Sequence, residues 1–219
     1  MKSKITLVLL TLTAVIALRA AEPATKACCD ACATDTKPAT KDACCADELA
    51  ALPLPILSKV SLYQLDAKWT NDAGATVQLA SLHGRPVVLA MFFASCEYAC
   101  PLIVEDMKRL GASLPANVRA QTQFVLVSFD TTRDTPVALK AYRKRMKLDE
   151  AWTLLSGDPT SVQEFAMLLG VKFKEDARGQ FSHSNLITVL NSAGEITHQR
   201  AGLMGDVSES AKAVTLAAK

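Results

Sequence analysis

Three kinds of apolar pattern follow one another along the chain. A basic start leads into a continuous apolar run over residues 5–18, ending in small residues near Ala20. That is the layout of a secretory signal peptide over residues 1–20, and the run is shorter than the roughly 20 residues a membrane helix needs. The segment 21–51 is different: rich in Ala, Lys, Thr, Asp and Pro, it holds no large apolar side chain between Glu22 and Glu48. It buries too little to offset its ordering entropy, so a flexible, disordered segment is expected. Pro53 and Pro55 then form a stiff lead into a domain spanning 52–219.

Within that domain, strand and helix periods alternate. "DAKWTNDAGATVQLASLHG" predicts a hairpin turning at Asp72-Ala73-Gly74. "PVVLAMFF" and "TQFVLVSFD" are continuous apolar runs, as expected of strands buried on both faces. A helix follows Pro101, with Leu102, Ile103, Met107 and Leu110 turned to the core and Gly111 placed to close it. Thr135 caps a helix that starts at Pro136, and "WTLLSG" is a short strand. Asp158 caps another helix, whose Val162, Phe165, Ala166 and Leu169 keep the i, i+3, i+4, i+7 spacing before Gly170. "NLITVLNSAGEITHQR" is a hairpin turning at Ser192-Ala193-Gly194, and a last helix starts near Val207. This order describes an α/β fold, a sheet flanked by helices.

The formal charge is +2, and Lys2, Lys4 and Arg19 supply more than the whole excess. Without those three cations the remainder carries −1. A near-neutral mature protein gives no electrostatic basis for nucleic-acid binding. An export signal places the chain in an oxidising compartment, a bacterial periplasm, unless an uncleaved N-terminus anchors it to the inner membrane. The basic run in "LKAYRKRMK" reads first as a solvated helix face and second as a docking patch.

The seven cysteines fall into two groups. Cys28, Cys29, Cys32, Cys44 and Cys45 crowd the N-terminal segment, while Cys96 and Cys100 stand alone in the domain. Sites in open α/β sheets gather at the carboxyl ends of strands. Cys96 follows one strand end, Asp130 closes another and His183 lies in the approach to a third. Residues at i and i+4 near a helix start share one face, and a helix N-terminus favours thiolates. The pair therefore reads as a structural bridge, a redox couple or part of a metal site. A bridge with three intervening residues gains little loop-closure entropy. Two thiolates and one imidazole suit Cu(I), and also zinc. His83 and His198 read as structural or solvated. The five N-terminal thiols read as an accessory metal cluster that collects copper, as a scavenging or sensing element, or as disulfide pairs with the odd cysteine linking two chains.

Four segments together resemble the SCO/SenC family of thioredoxin-fold copper proteins: "LASLHGRPVVLAMFFASCEYACP", "VLVSFDTTRDTP", "WTLLSGD" and "FSHSNLITVLNSAGEI". Any one is weak; all four in order are specific. The resemblance implies a thioredoxin-like fold with a central mixed sheet and a copper site, Cu(I) and/or Cu(II), made by Cys96, Cys100 and His183. It implies a role in delivering copper to the Cu(A) centre of cytochrome c oxidase, or in keeping that centre's thiols reduced. The acceptor would be an oxidase subunit or another copper protein. Asp130 and Asp134 match acidic positions of the family motif. Asp130 is expected beside the metal, tuning it from outside the ligand set, and Asp134 is expected to help cap the helix at Thr135. Two positions depart from the family: Glu97 follows the first cysteine where many members have proline, and Ala94 stands where a threonine is common. The competing reading is a thiol–disulfide oxidoreductase using Cys96 and Cys100 without an obligatory metal. Thioredoxin-like reductases usually separate their cysteines by two residues and place a cis-proline before the facing strand, where this chain reads "FSHSNLITVL". A peroxiredoxin has Thr or Ser where this chain has Phe93.

Overall fold

The computed structural model describes residues 57–219 other than Arg178. The expected signal peptide over residues 1–20 and the 21–51 segment with its five cysteines lie outside the described residues.

The expected hairpin comes first, β1 (Trp69–Asn71) with β2 (Thr76–Val77). Its turn uses Gly74 at φ +83°, a conformation in which a side chain would be strained. Then come β3 (Val87–Phe92), α1 (Ala99–Ser113), α2 (Ala116–Gln121), β4 (Gln123–Ser128), α3 (Pro136–Met146), β5 (Trp152–Ser156) and α4 (Pro159–Leu169). A small pair, β6 (Phe173–Glu175) and β7 (Phe181–His183), precedes β8 (Leu186–Leu190), β9 (Ile196–Ala201) and α5 (Ser208–Ala217).

Seven strands form one mixed sheet in the order β2-β1-β5-β4-β3-β8-β9. β3, β4 and β5 run parallel, while β8 lies antiparallel to β3. Helices cover both faces: α1 and α5 pack on each other and on β3, β8 and β9, and α3 packs on β5 and β1. That double cover is why β3 is buried at all six positions, the condition its unbroken apolar run anticipates. The result is the thioredoxin-like α/β architecture that the motifs imply.

The helix boundaries follow their capping chemistry. Thr135 Oγ1 accepts the Ala138 N–H, and Asp158 accepts the N–H groups of Thr160 and Ser161. A threonine cap of this kind contributes about 1 kcal/mol. Gly170 ends α4 in the left-handed region at φ +72°. Gly111 departs from expectation. It lies within α1, which runs on to Ser113, and a Cβ there would meet the Phe124 ring at 2.8 Å. The glycine serves close helix–sheet packing, not termination. Leu102 is half-buried, and Val104 takes the fuller core position.

Parallel β3 and β4 both deliver their carboxyl ends to one edge of the sheet. Because β8 is antiparallel to β3, with Ala90 opposite Ile187, the chain just before β8 arrives at that same edge. The topology therefore gathers the loop 93–98, the loop 129–135 and the end of β7.

Candidate metal centre

Cys96 sits in the loop between β3 and α1, and Cys100 is in the first turn of that helix. Cys100 is completely buried and Cys96 nearly so, at 0% and 8% exposure. The two are not bridged. The Cys100 N–H donates to Cys96 Sγ at 3.3 Å, so the open first turn of α1 points an amide at the first sulfur. The hydrogen bond from the Cys100 side chain holds the Cys96 thiol far below its ordinary value, with backbone N–H groups helping and burial opposing. Cys100 is pushed the opposite way, first because it supplies that hydrogen bond and then by burial.

His183 comes from across the edge. Its Nε2 lies 3.8 Å from Cys100 Sγ, and its Nδ1–H donates to the Ser184 carbonyl at 3.1 Å. That second bond orients the ring and turns Nε2 toward the sulfurs. Cys96 Sγ, Cys100 Sγ and a His183 nitrogen all lie within 4.8 Å of one another. Metal–sulfur bonds of about 2.3 Å and metal–nitrogen bonds of about 2.0 Å put trigonal ligands roughly 3.7–4.0 Å apart. The group is thus close to the span that one small ion needs, and its donors are soft. Among the described residues it is the one cluster of three His, Cys, Asp or Glu side chains with this spacing.

The hairpin that carries His183 was not evident in the periodicity, because each strand is only three residues long. Aromatic rings hold it. Phe129 stacks on Phe173 at 5.2 Å and meets Phe181 at 5.1 Å, and the His183 ring lies 5.0 Å from Phe129 and 6.0 Å from Phe93. The residues Phe93 and Phe129 immediately follow β3 and β4, and this placement is the signal that would have found them.

The two acids have different partners. Asp130 accepts from the Thr132 and Arg133 N–H groups and pairs with the Arg133 guanidinium. Arg133 in turn lies over the Phe181 ring, 5.6 Å from its centre. Asp134 does not cap α3. It is buried, and its Oδ2 accepts the Ala94 N–H at 2.8 Å and the Ser128 hydroxyl at 2.5 Å. Burial holds its carboxyl above the usual range, with the Ser128 and Ala94 bonds acting the other way. His83 is exposed and His198 lies on β9, both away from the sulfurs in the fold. Among the described residues, no helix is long and apolar enough to cross a membrane.

Comparison with known proteins fits this arrangement. A Stutzerimonas stutzeri protein named "Putative copper-binding protein" is 31% identical over 165 residues, covering 73% of this chain and 78% of that protein. The crystal structure of a SCO1/SenC family lipoprotein from Bacillus anthracis superposes with TM-score 0.64 at 22% identity, covering 72% of this chain and 96% of the other. Arabidopsis thaliana ScoI, solved with copper bound, gives TM-score 0.60 at 18% identity, covering 69% and 94%. At these identities the two structures establish the fold. The sequence profile of SCO1/SenC matches residues 61–217, most of the chain, and the chain therefore belongs to the SCO1/SenC family.

Proposed function

We propose that this chain is an exported copper-binding protein that holds one copper ion between Cys96 Sγ, Cys100 Sγ and His183 Nε2. It passes the ion to the Cu(A) site of a respiratory oxidase or to another copper protein, or keeps the acceptor's thiols reduced. The observation that carries the reading is the convergence of two sulfurs and one imidazole nitrogen within 4.8 Å, from elements far apart in sequence. The copper-binding name of the Stutzerimonas relative and the copper held by ScoI support the choice of ion. Cu(I) suits a two-thiolate, one-imidazole set, and Cu(II) is compatible with the same ligands. Asp130 enters indirectly, by holding Arg133 against Phe181, two residues before His183. Residues 1–20 direct export to the periplasm, and Cys28, Cys29, Cys32, Cys44 and Cys45 form an accessory copper-collecting segment ahead of the 52–219 domain.

The second reading is a thiol–disulfide oxidoreductase. It is favoured by the asymmetry of the pair, the Cys96 thiol held low beside a buried Cys100 held high, since thiolates are the attacking species in exchange. His183 separates the two. The test uses the full chain with its five N-terminal cysteines changed to serine, reduced and titrated with Cu(I), beside its His183→Ala variant. One tightly held copper per chain, and a loss of at least about tenfold in affinity in the variant, is expected. Equal, weak binding in both, with disulfide exchange intact, would sink the copper site and leave a redox couple.

A further inference from the structure

The loop that carries Cys96 is gripped from the side by α3 and the loop before it. Asp134 Oδ2 accepts the N–H of Ala94 at 2.8 Å, and Arg145 Nη2 donates to the carbonyl of the same residue at 2.5 Å. A carboxylate and a guanidinium thus hold both polar groups of one buried residue, two positions before the first sulfur. Hydrogen bonds to ionised partners are roughly twice as strong as neutral ones. Asp134 is itself fixed, because the Ser128 hydroxyl at the end of β4 donates to the same oxygen at 2.5 Å. Arg145 lies over the Tyr142 ring, 5.0 Å from its centre, and Tyr142 is buried against Phe92 at the end of β3. One grip is therefore buried, and the other, on an exposed side chain, rests on a buried ring. Neither residue touches the sulfurs as a ligand would.

We infer that Asp134 and Arg145 are positioning residues that set the Cys96 sulfur at its distance from Cys100 and His183, so that the copper site is complete before the ion arrives. The inference rests on the copper reading above. Its physical basis is preorganisation: a loop already held in the ligating geometry loses less conformational entropy on binding. The sequence points there as well, since Ala94 carries no side-chain hydroxyl with which to hold the loop, and a neighbouring element supplies the bonds instead.

The charges of the two residues make the idea separable from simple electrostatics. If they acted by charge alone, removing Asp134 would weaken binding of a cation and removing Arg145 would strengthen it. If they act by position, removing either weakens it. An asparagine at 134 keeps an oxygen for the Ala94 N–H and loses only the charge.

The experiment measures Cu(I) affinity by competition, and the thiolate-to-Cu(II) charge-transfer band, in the full chain with its five N-terminal cysteines changed to serine. Variants are Asp134→Ala, Asp134→Asn and Arg145→Ala. The expected result is about a tenfold loss for Asp134→Ala with an altered band, and about a threefold loss for Arg145→Ala, an exposed side chain that water replaces in part. Asp134→Asn is expected within about threefold of the parent, with its band unchanged. Tighter copper in Arg145→Ala, equal losses in the two Asp134 variants, or parental affinity in Asp134→Ala would each overturn the positioning role. Should Asp134→Ala fail to fold, the sign of the Arg145→Ala change decides alone. A parent that binds no copper would overturn the underlying site as well, and that failure is distinct from a copper-binding parent with indifferent variants.

Discussion

The cysteines and the histidine reach the same point on very different supports. Cys96 and Cys100 hang between β3, buried at every position, and α1, whose inner face from Cys100 to Gly111 is packed into the core. His183 ends a three-residue strand in a two-stranded sheet of its own, in which no residue is fully buried. An isolated hairpin is marginal in water. This one is kept in place by Phe173 and Phe181 lying on Phe129. The spacing of the sulfurs is therefore a property of the core. The distance of the imidazole is a property of an aromatic contact.

The largest test of that contrast falls on the sulfur side. Cys100→Ser removes a ligand from a site with no fourth donor in the cluster, and copper affinity is expected to fall by about a hundredfold or more in a Cu(I) competition assay. His183→Ala is expected to cost about 10–100-fold in the same assay while leaving the pair's exchange with a small disulfide intact. If the histidine variant lost as much as the serine variant, the imidazole would be an equal partner and not the adjustable one.

Proton linkage sharpens the sulfur side further. With the Cys96 thiol held low and the Cys100 thiol held high, loading copper onto both sulfurs is expected to release one proton, from Cys100. Affinity is then expected to rise about tenfold for each pH unit between about pH 6 and 8, the slope of one proton lost. A slope of two would mean that both thiols start protonated. A slope near zero would mean that neither does.

The smallest effects compare two phenylalanines. Phe129 is 2% exposed and touches both regions, so Phe129→Ala should cost about 3–5 kcal/mol in denaturant unfolding. Phe181 is only partly buried, and Phe181→Ala should cost about 1–2 kcal/mol while weakening copper a few-fold through His183. Equal stability losses would show that the hairpin is part of the main cooperative unit, and the contrast drawn here would fail.

Much of the framework was legible from residue pattern alone. Continuous apolar runs marked β3 and β4, and the Thr135-Pro136 and Asp158-Pro159 pairs marked two helix starts. Four ordered motifs singled out Cys96, Cys100 and His183. Local rules failed where a residue answers to a distant neighbour. Gly111 reads as a helix end, yet its missing Cβ makes room for Phe124 on another element. Asp134 sits where a cap belongs, yet its carboxylate serves a loop 40 residues earlier. The β6–β7 pair is too short to show a period of two, and it lies on the rings of Phe93 and Phe129, just past the ends of β3 and β4.

By itself, the sequence determined where strands and helices begin, which cysteines stand apart, and which family the chain resembles. Those are consequences of local propensity, capping and motif spacing, each expressed over a few adjacent residues. Only the tertiary structure decided that two neighbouring cysteine sulfurs and a histidine nitrogen more than 80 positions further on meet within 4.8 Å. It also decided which acid grips the cysteine loop, and that the histidine stands on an aromatic shelf. Such outcomes depend on strand order and on the packing of distant side chains, which the mixed sheet sets by bringing the carboxyl ends of β3 and β4 to the start of β8.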